Sequence, residues 1–171
     1  MHILETNRLT IRVFSSDDLD AFAAIEADPD VMRFFASGPR SRETAARAIA
    51  WYRTLQEQRG HSFWAVVHKA NGRLIGLCGL IPQRVGGVDE IEVAYRLDQS
   101  HWGQGFATEA ATAVCKWGFE HLDVPRLISI IDPGNIASIR VAEKNGMRPV
   151  DQAEYDGKVC HIYAVTRDTE H

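Results

Sequence analysis

The chain has 171 residues, 45% of them apolar and 25% charged, with a formal net charge of -4. That length suits one domain, read as spanning 1–171, and it buries enough surface to stand without disulfide staples. The acidic balance argues against a general nucleic-acid binder, and no apolar run approaches the ~20 residues that cross a bilayer.

Leu9, Ile11 and Val13 alternate with Thr10 and Arg12, the period of a half-buried strand. Ser15 or Ser16 reads as a cap before Asp17 and Asp18, and Leu19, Phe22, Ala23 and Ile25 carry a helix that Pro29 ends. Ser41 opens a second helix through Ala45, Ile49, Tyr52 and Leu55 to Gly60. Phe63 to His68 and Leu74 to Ile81 read as strands joined by the hairpin turn Ala70-Asn71-Gly72. Val85-Gly86-Gly87-Val88 then leads to a strand over Ile91 to Leu97. The clearest helix follows, with Ala107, Ala110, Ala111, Val114, Cys115, Gly118, Phe119 and Leu122 on one face. Leu127 to Ile131 is a short strand, and Asn135 caps a last helix that stops at Gly146. Arg148 to Glu154 and Lys158 to Thr166 form a closing hairpin around Asp156-Gly157. The order βααβββαβαββ predicts an α+β fold with a mixed sheet.

Cys78, Cys115 and Cys160 form no CxxC pair and read as reduced thiols of a cytoplasmic protein. The histidines show neither HxxxH nor HExxH spacing, so no metal is expected. Met1 to Asn7 is polar and lacks the apolar core of a signal peptide.

The most informative stretch is Trp102-Gly103-Gln104-Gly105-Phe106-Ala107-Thr108-Glu109-Ala110, between a strand and a helix. Its glycines let the backbone approach a ligand, and the first helical N–H groups lack intrahelical partners, so a diphosphate fits there. A plain strand-to-helix turn is the competing reading. The third glycine of a dinucleotide fingerprint and the Gly-Lys-Ser/Thr of a Walker loop are both missing. Asn135 and Ser138 open the next helix, where capping explains Asn135 without excluding a ligand contact.

Together with Glu5-Thr6-Asn7-Arg8-Leu9-Thr10-Ile11-Arg12, Glu92-Val93-Ala94-Tyr95-Arg96-Leu97 and Glu143-Lys144-Asn145-Gly146-Met147, these motifs resemble the GCN5-related N-acetyltransferase (GNAT) superfamily. Within it they are similar to the ribosomal-protein N-terminal acetyltransferase branch, the RimJ/RimL-like proteins. The resemblance implies the acyl-CoA N-acyltransferase fold: a mixed, mostly antiparallel sheet, flanked by helices, whose central parallel strands Ile91 to Leu97 and Leu127 to Ile131 splay apart. It implies acetyl-CoA as co-substrate, with the pantetheine arm against Val93, Tyr95 and Leu97 and held by Asn135. The pyrophosphate would lie on Gly103, Gln104, Gly105, Phe106, Ala107 and Thr108, and Lys144 would reach the nucleotide end, though a helix-end cation explains Lys144 equally well. Trp102 and Gln104 depart from the superfamily pattern; Gln104 removes a cation from the phosphate site.

Aminolysis of a thioester needs a neutral amine. Deprotonation at pH 7 costs about 1.4 kcal/mol for an α-amine and about 4.6 for a lysine. Glu92, beside the expected thioester and on the opposite face from Val93, is the favoured base, with a solvated strand carboxylate as the alternative. Asp89, Glu90 and His161 are weaker candidates. Ser138 matches the hydroxyl that protonates the leaving thiolate in the resembling family. Tyr155, Tyr163, Trp51, Phe63 and Trp64 are candidates for a substrate pocket or for core packing. The acidic cluster Asp89, Glu90 and Glu92 leans toward a cationic acceptor. The expected acceptor is a protein N-terminus or a small-molecule amine. No nucleic acid or membrane partner is expected, and a homodimer fits the family. The competing function is a catalytically silent acyl-CoA sensor on the same fold.

Overall fold

In the computed structural model, which describes residues 1–169, the strands form one sheet in the order β1-β2-β3-β4-β5-β6-β8-β7. Its strands are β1 (His2–Glu5), β2 (Leu9–Arg12), β3 (Phe63–His68), β4 (Arg73–Val85), β5 (Val88–Leu97), β6 (Arg126–Ile131), β7 (Arg148–Tyr155) and β8 (Lys158–Thr166). Every neighbouring pair is antiparallel except β5 and β6. Helices α1 (Leu19–Glu26) and α2 (Arg42–Arg59) link β2 to β3, α3 (Phe106–His121) links β5 to β6, and α4 (Ile136–Lys144) links β6 to β7.

Period-two alternation serves both faces of the sheet. Trp64, Val66, Leu80, Val93 and Leu97 pack against Phe106, Ala110, Val114 and Phe119 of α3. Ala65 and Leu77 turn the other way, onto Phe14, Phe22, Ile49 and Tyr52 beneath α1 and α2. Small residues bring α3 close: a side chain at Gly118 would meet Leu80 and Leu127 methyls at 3.0 and 3.1 Å.

Most expected elements are present, and the caps behave as read. Ser41 Oγ accepts the Thr44 N–H at 3.2 Å, and Gly146 stands at φ +80° just past α4. Two differences matter. The polar start of the chain forms β1, whose pairing with β2 supplies what its composition does not. Strand β4 continues through Pro82 to Val85 instead of ending at Ile81. Its pairing with β3 stops at Gly79, so Pro82 has a free edge toward its missing N–H and a ladder only with β5.

A buried ionic cluster ties α1 to β5. Glu26 is fully buried, pairs with Arg96, and takes Arg40 at 3.0 Å. The Arg96 guanidinium also covers the Phe35 ring, 4.1 Å from its centroid. This fixes the 28–40 segment as a wall beside β5.

Candidate functional site

Strands β5 and β6 share a single registered pair, Glu92 with Ile128. Beyond it they part, and side chains bridge the gap. Ser129 Oγ donates to the Val93 carbonyl at 2.7 Å, and the Ile130 N–H donates to Glu92 Oε2 at 3.1 Å. On its other edge β5 stays paired with β4 through Leu97. A cavity of about 930 Å³ opens at the split, lined by β5 from Glu92 to Leu97, by the loop entering α3 and by one face of α4.

Gly103 and Gly105 hold φ of +71° and +82°, a region costly for any side-chain-bearing residue. The Glu109 N–H bonds Gly105 O at 3.0 Å. The N–H groups of Phe106, Ala107 and Thr108 precede that first helical bond and lie where the helix dipole favours an anion. Gly103, Gly105, Phe106, Ala107 and Thr108 all line the cavity. Gln104 does not: its carbonyl accepts from Arg8 Nη1 at 2.9 Å and its side chain donates to Ser100 O at 3.0 Å. It backs the loop instead of facing the ligand space.

The loop is braced from outside. Arg8 also pairs with Glu109 at 2.7 Å and lies over the Phe106 ring at 4.0 Å. Thr6 Oγ1 and the Arg8 N–H donate to the same Glu109 carboxylate at 2.6 and 2.8 Å. Desolvation raises the Glu109 pKa, but the Thr6 and Arg8 contacts outweigh it and leave the carboxyl below its usual range. A negative charge in the first turn of α3 is thereby neutralised beside the anion site. Trp102 Nε1 donates to Leu97 O at 3.0 Å, fastening the loop to the end of β5.

On α4, Asn135 Oδ1 accepts the Ser138 N–H at 3.2 Å, the expected cap, which leaves the Asn135 amide hydrogens for another acceptor. Tyr95 reaches across the split to donate to Ser138 O at 3.2 Å. Burial raises the Tyr95 pKa above that of an ordinary phenol, against the Ser138 hydrogen bond. Ala137, Ser138, Arg140, Val141 and Lys144 line the cavity.

Glu92 is only 7% exposed. Burial pushes its pKa up to about 7, opposed by hydrogen bonds from the Ile130 N–H and from Gln83. It lies on the face of β5 away from Val93, as the alternation requires. The acidic cluster read from the sequence does not form. Asp89 is exposed and pairs with Arg84, while Glu90 pairs with Arg126; both line a separate depression. Alternation sends Asp89 to the opposite face, and Arg126 of β6 claims Glu90. Tyr155, Trp51 and Phe63 line the main cavity; His161, Tyr163 and Trp64 do not. Tyr163 and Trp64 are core residues, with Trp64 Nε1 on Gln56 at 2.7 Å.

The family model of the Acetyltransferase (GNAT) domain matches residues 8–148. The chain belongs to the GNAT acetyltransferase family. It is similar to YkkB of Bacillus subtilis (strain 168), 36% identical over 145 residues, 84% of each chain. It is also similar to the N-acetyltransferase YoaA of the same organism, 30% identical over 152 residues, covering 85% of this chain and 82% of that one. Among solved structures, RimL, a ribosomal L7/L12 α-N-protein acetyltransferase in complex with coenzyme A, superposes with a TM-score of 0.81. It covers 99% of this chain and 100% of its own at 19% identity, a likeness of fold. The GNAT sheet and its split central strands are thus present as the resemblance implies.

Three cavity residues of this GNAT chain were not singled out from the sequence. Arg140 lies one turn before Lys144 on the α4 face, a spacing that was there to be read. Gln83 sits beyond Ile81, the expected end of its strand. Arg96 stands two pleats from Glu92 on the same face of β5, and its partner Glu26 lies 70 residues away. Among the described residues, no group of three or more His, Cys, Asp or Glu side chains is placed to hold a metal.

Proposed function

We propose that this GNAT-family chain transfers acetyl from acetyl-CoA to a primary amine by direct attack on the thioester. The observation that carries the reading is a buried carboxylate lining the cavity at the point where β5 and β6 part, its pKa raised by burial to about 7. A buried group with a pKa of about 7 accepts a proton well at that pH. The Phe106 to Thr108 N–H groups suit the pyrophosphate, with Gly103 and Gly105 leaving room, and Arg140 and Lys144 supply the positive charge that Gln104 does not. The β6-facing backbone edge of Val93 to Leu97 and the Asn135 amide suit the pantetheine arm.

Glu92 takes the amine proton. A backbone N–H on the open edge of β5 polarises the thioester carbonyl. As the amine nitrogen bonds the acetyl carbon, the carbon–sulfur bond breaks, and the Ser138 hydroxyl protonates the departing sulfur. Glu92 supplies enough basicity for an α-amine, whose deprotonation costs little at pH 7. A lysine acceptor would need further desolvation.

The acceptor side favours an amine with an apolar body over a polycation. Phe34, Phe35, Trp51, Tyr52 and Phe63 line it, with Arg40 and Arg96 among them. A protein N-terminus and a small apolar amine both fit that lining. Three buried cysteines outside any disulfide suit a reducing compartment, and we assign the reaction to the cytoplasm.

The test is mass spectrometry after incubation with acetyl-CoA and a panel of amines: a peptide with a free N-terminus, phenylethylamine, spermidine and an aminoglycoside. One added acetyl group on the peptide or the phenylethylamine, absent with Glu92→Gln, supports the reading. Binding of acetyl-CoA with no amine acetylated would return the silent sensor.

A further inference from the structure

Among the described residues two donors reach the Glu92 carboxyl: the Ile130 N–H on Oε2 at 3.1 Å and the Gln83 amide on Oε1 at 3.2 Å. The first is backbone and comes with the fold. The second is a side chain that another residue could replace. The β4–β5 ladder sets Ile81 opposite Glu92 and Gln83 opposite Glu90. Gln83 and Glu92 are therefore diagonal neighbours on one face, within reach of long side chains. Glu90, directly opposite Gln83, is held by Arg126. The same Gln83 nitrogen also donates to the Tyr155 hydroxyl at 3.0 Å. An amide held by both hydrogens cannot swing away from the carboxylate.

We infer that Gln83 is a positioning residue for acetyl transfer: its amide holds Glu92 Oε1 and, by its second hydrogen, is itself locked by Tyr155. The inference rests on the reading of Glu92 as the base. An amide donor favours the ionised carboxylate over the protonated one and so opposes the desolvation of the buried site. Among the described residues no cation does this work. The titratable groups acting on Glu92 are Tyr155 of β7, Cys160 of β8 and Tyr95 of β5, and burial raises each of them, so all are neutral near pH 7. From β4 and β6 the neighbours are Ile81, Gln83, Ile128, Ser129 and Ile130, none of which titrates. Arg96, on the same face of β5, is committed to Glu26.

The experiment is a ¹³C NMR titration of the protein labelled at its glutamate carboxyls, with Glu92→Gln identifying the Glu92 signal. Gln83→Met keeps the length and removes the donors. It should raise the Glu92 midpoint by about one pH unit, the worth of one hydrogen bond to a charged group. Gln83→Asn, too short to reach, should do the same if the Met variant fails to fold. Tyr155→Phe should move the midpoint in the same direction by less. The acid limb of the pH–rate curve for the amine found in the panel should follow the midpoint. A lowered melting temperature with an unmoved midpoint would reduce Gln83 to a structural residue and overturn the inference. A wild-type rate and acid limb in Glu92→Gln would instead remove Glu92 as the base, while the titration still decides the Gln83 contact.

Discussion

At the scale of single residues, the proposed chemistry requires Glu92 to be both buried and able to ionise. A base works only when deprotonated. With a pKa of about 7 the transfer rate should therefore rise with pH through neutrality and then level off. Glu92→Gln should abolish that limb and lower kcat/KM by roughly 10²–10⁴ on the plateau. A pH–rate series on the two proteins checks both. Ser138 has a different task. Its N–H is used by the cap, so Ser138→Ala preserves the helix start while removing the hydroxyl. Turnover should fall by roughly a hundredfold, the low end for a lost acid, with the Kd for coenzyme A nearly unchanged. Calorimetry beside steady-state kinetics separates these; unchanged turnover would take Ser138 out of the mechanism.

At the scale of elements, the site is the meeting of a helix start, a strand split and a second helix start. The helix starts were legible because caps and glycines act locally: Gly105 before α3 and Asn135 before α4 stand where the sequence puts them. Glu92 was legible because strand alternation alone fixes its face. What the sequence could not show was partnership across the chain. The acidic run Asp89, Glu90 and Glu92 reads as one cluster in one dimension, yet β4 and β6 draw its members to separate partners: Arg84, Arg126, and Gln83 with the Ile130 N–H. The Thr6-Asn7-Arg8 segment resembled its family without revealing why. In the fold it neutralises Glu109 and braces the anion loop about a hundred residues away. A prediction follows from that bracing. Arg8→Ala should leave Glu109 as an uncompensated charge beside the pyrophosphate and weaken acetyl-CoA binding by about tenfold, the scale of one charge-assisted bond. Adding Glu109→Gln should recover part of the loss, because it removes the repulsion that Arg8 was screening. Calorimetric Kd values for the single and double variants check this; no recovery would assign Arg8 to packing alone.

At the scale of the whole molecule, the same burial that raises the Glu92 pKa works against the fold. The sign follows from linkage. The Glu92 pKa is raised from 4.5 to about 7 on folding, so between those values the native state holds a proton that the unfolded chain has lost. The native state is then favoured less as pH climbs, and the loss is complete once pH passes about 7. A shift of this size corresponds to roughly 3 kcal/mol, part of it offset by relaxation around the ionised carboxyl. Glu92→Gln removes the titration while keeping an oxygen to accept the Ile130 N–H. The variant should match the wild type near pH 4.5 and exceed it at pH 8, by an amount worth roughly 6–12 °C in melting temperature for a chain of this size. Thermal unfolding at the two pH values tests this without any substrate. A stability difference that does not grow with pH would mean that Glu92 is ionised at little cost, and the argument for a neutral-range base would lose its physical ground. A widening gap would show that the fold gives up stability at the split between β5 and β6 to keep a proton acceptor there.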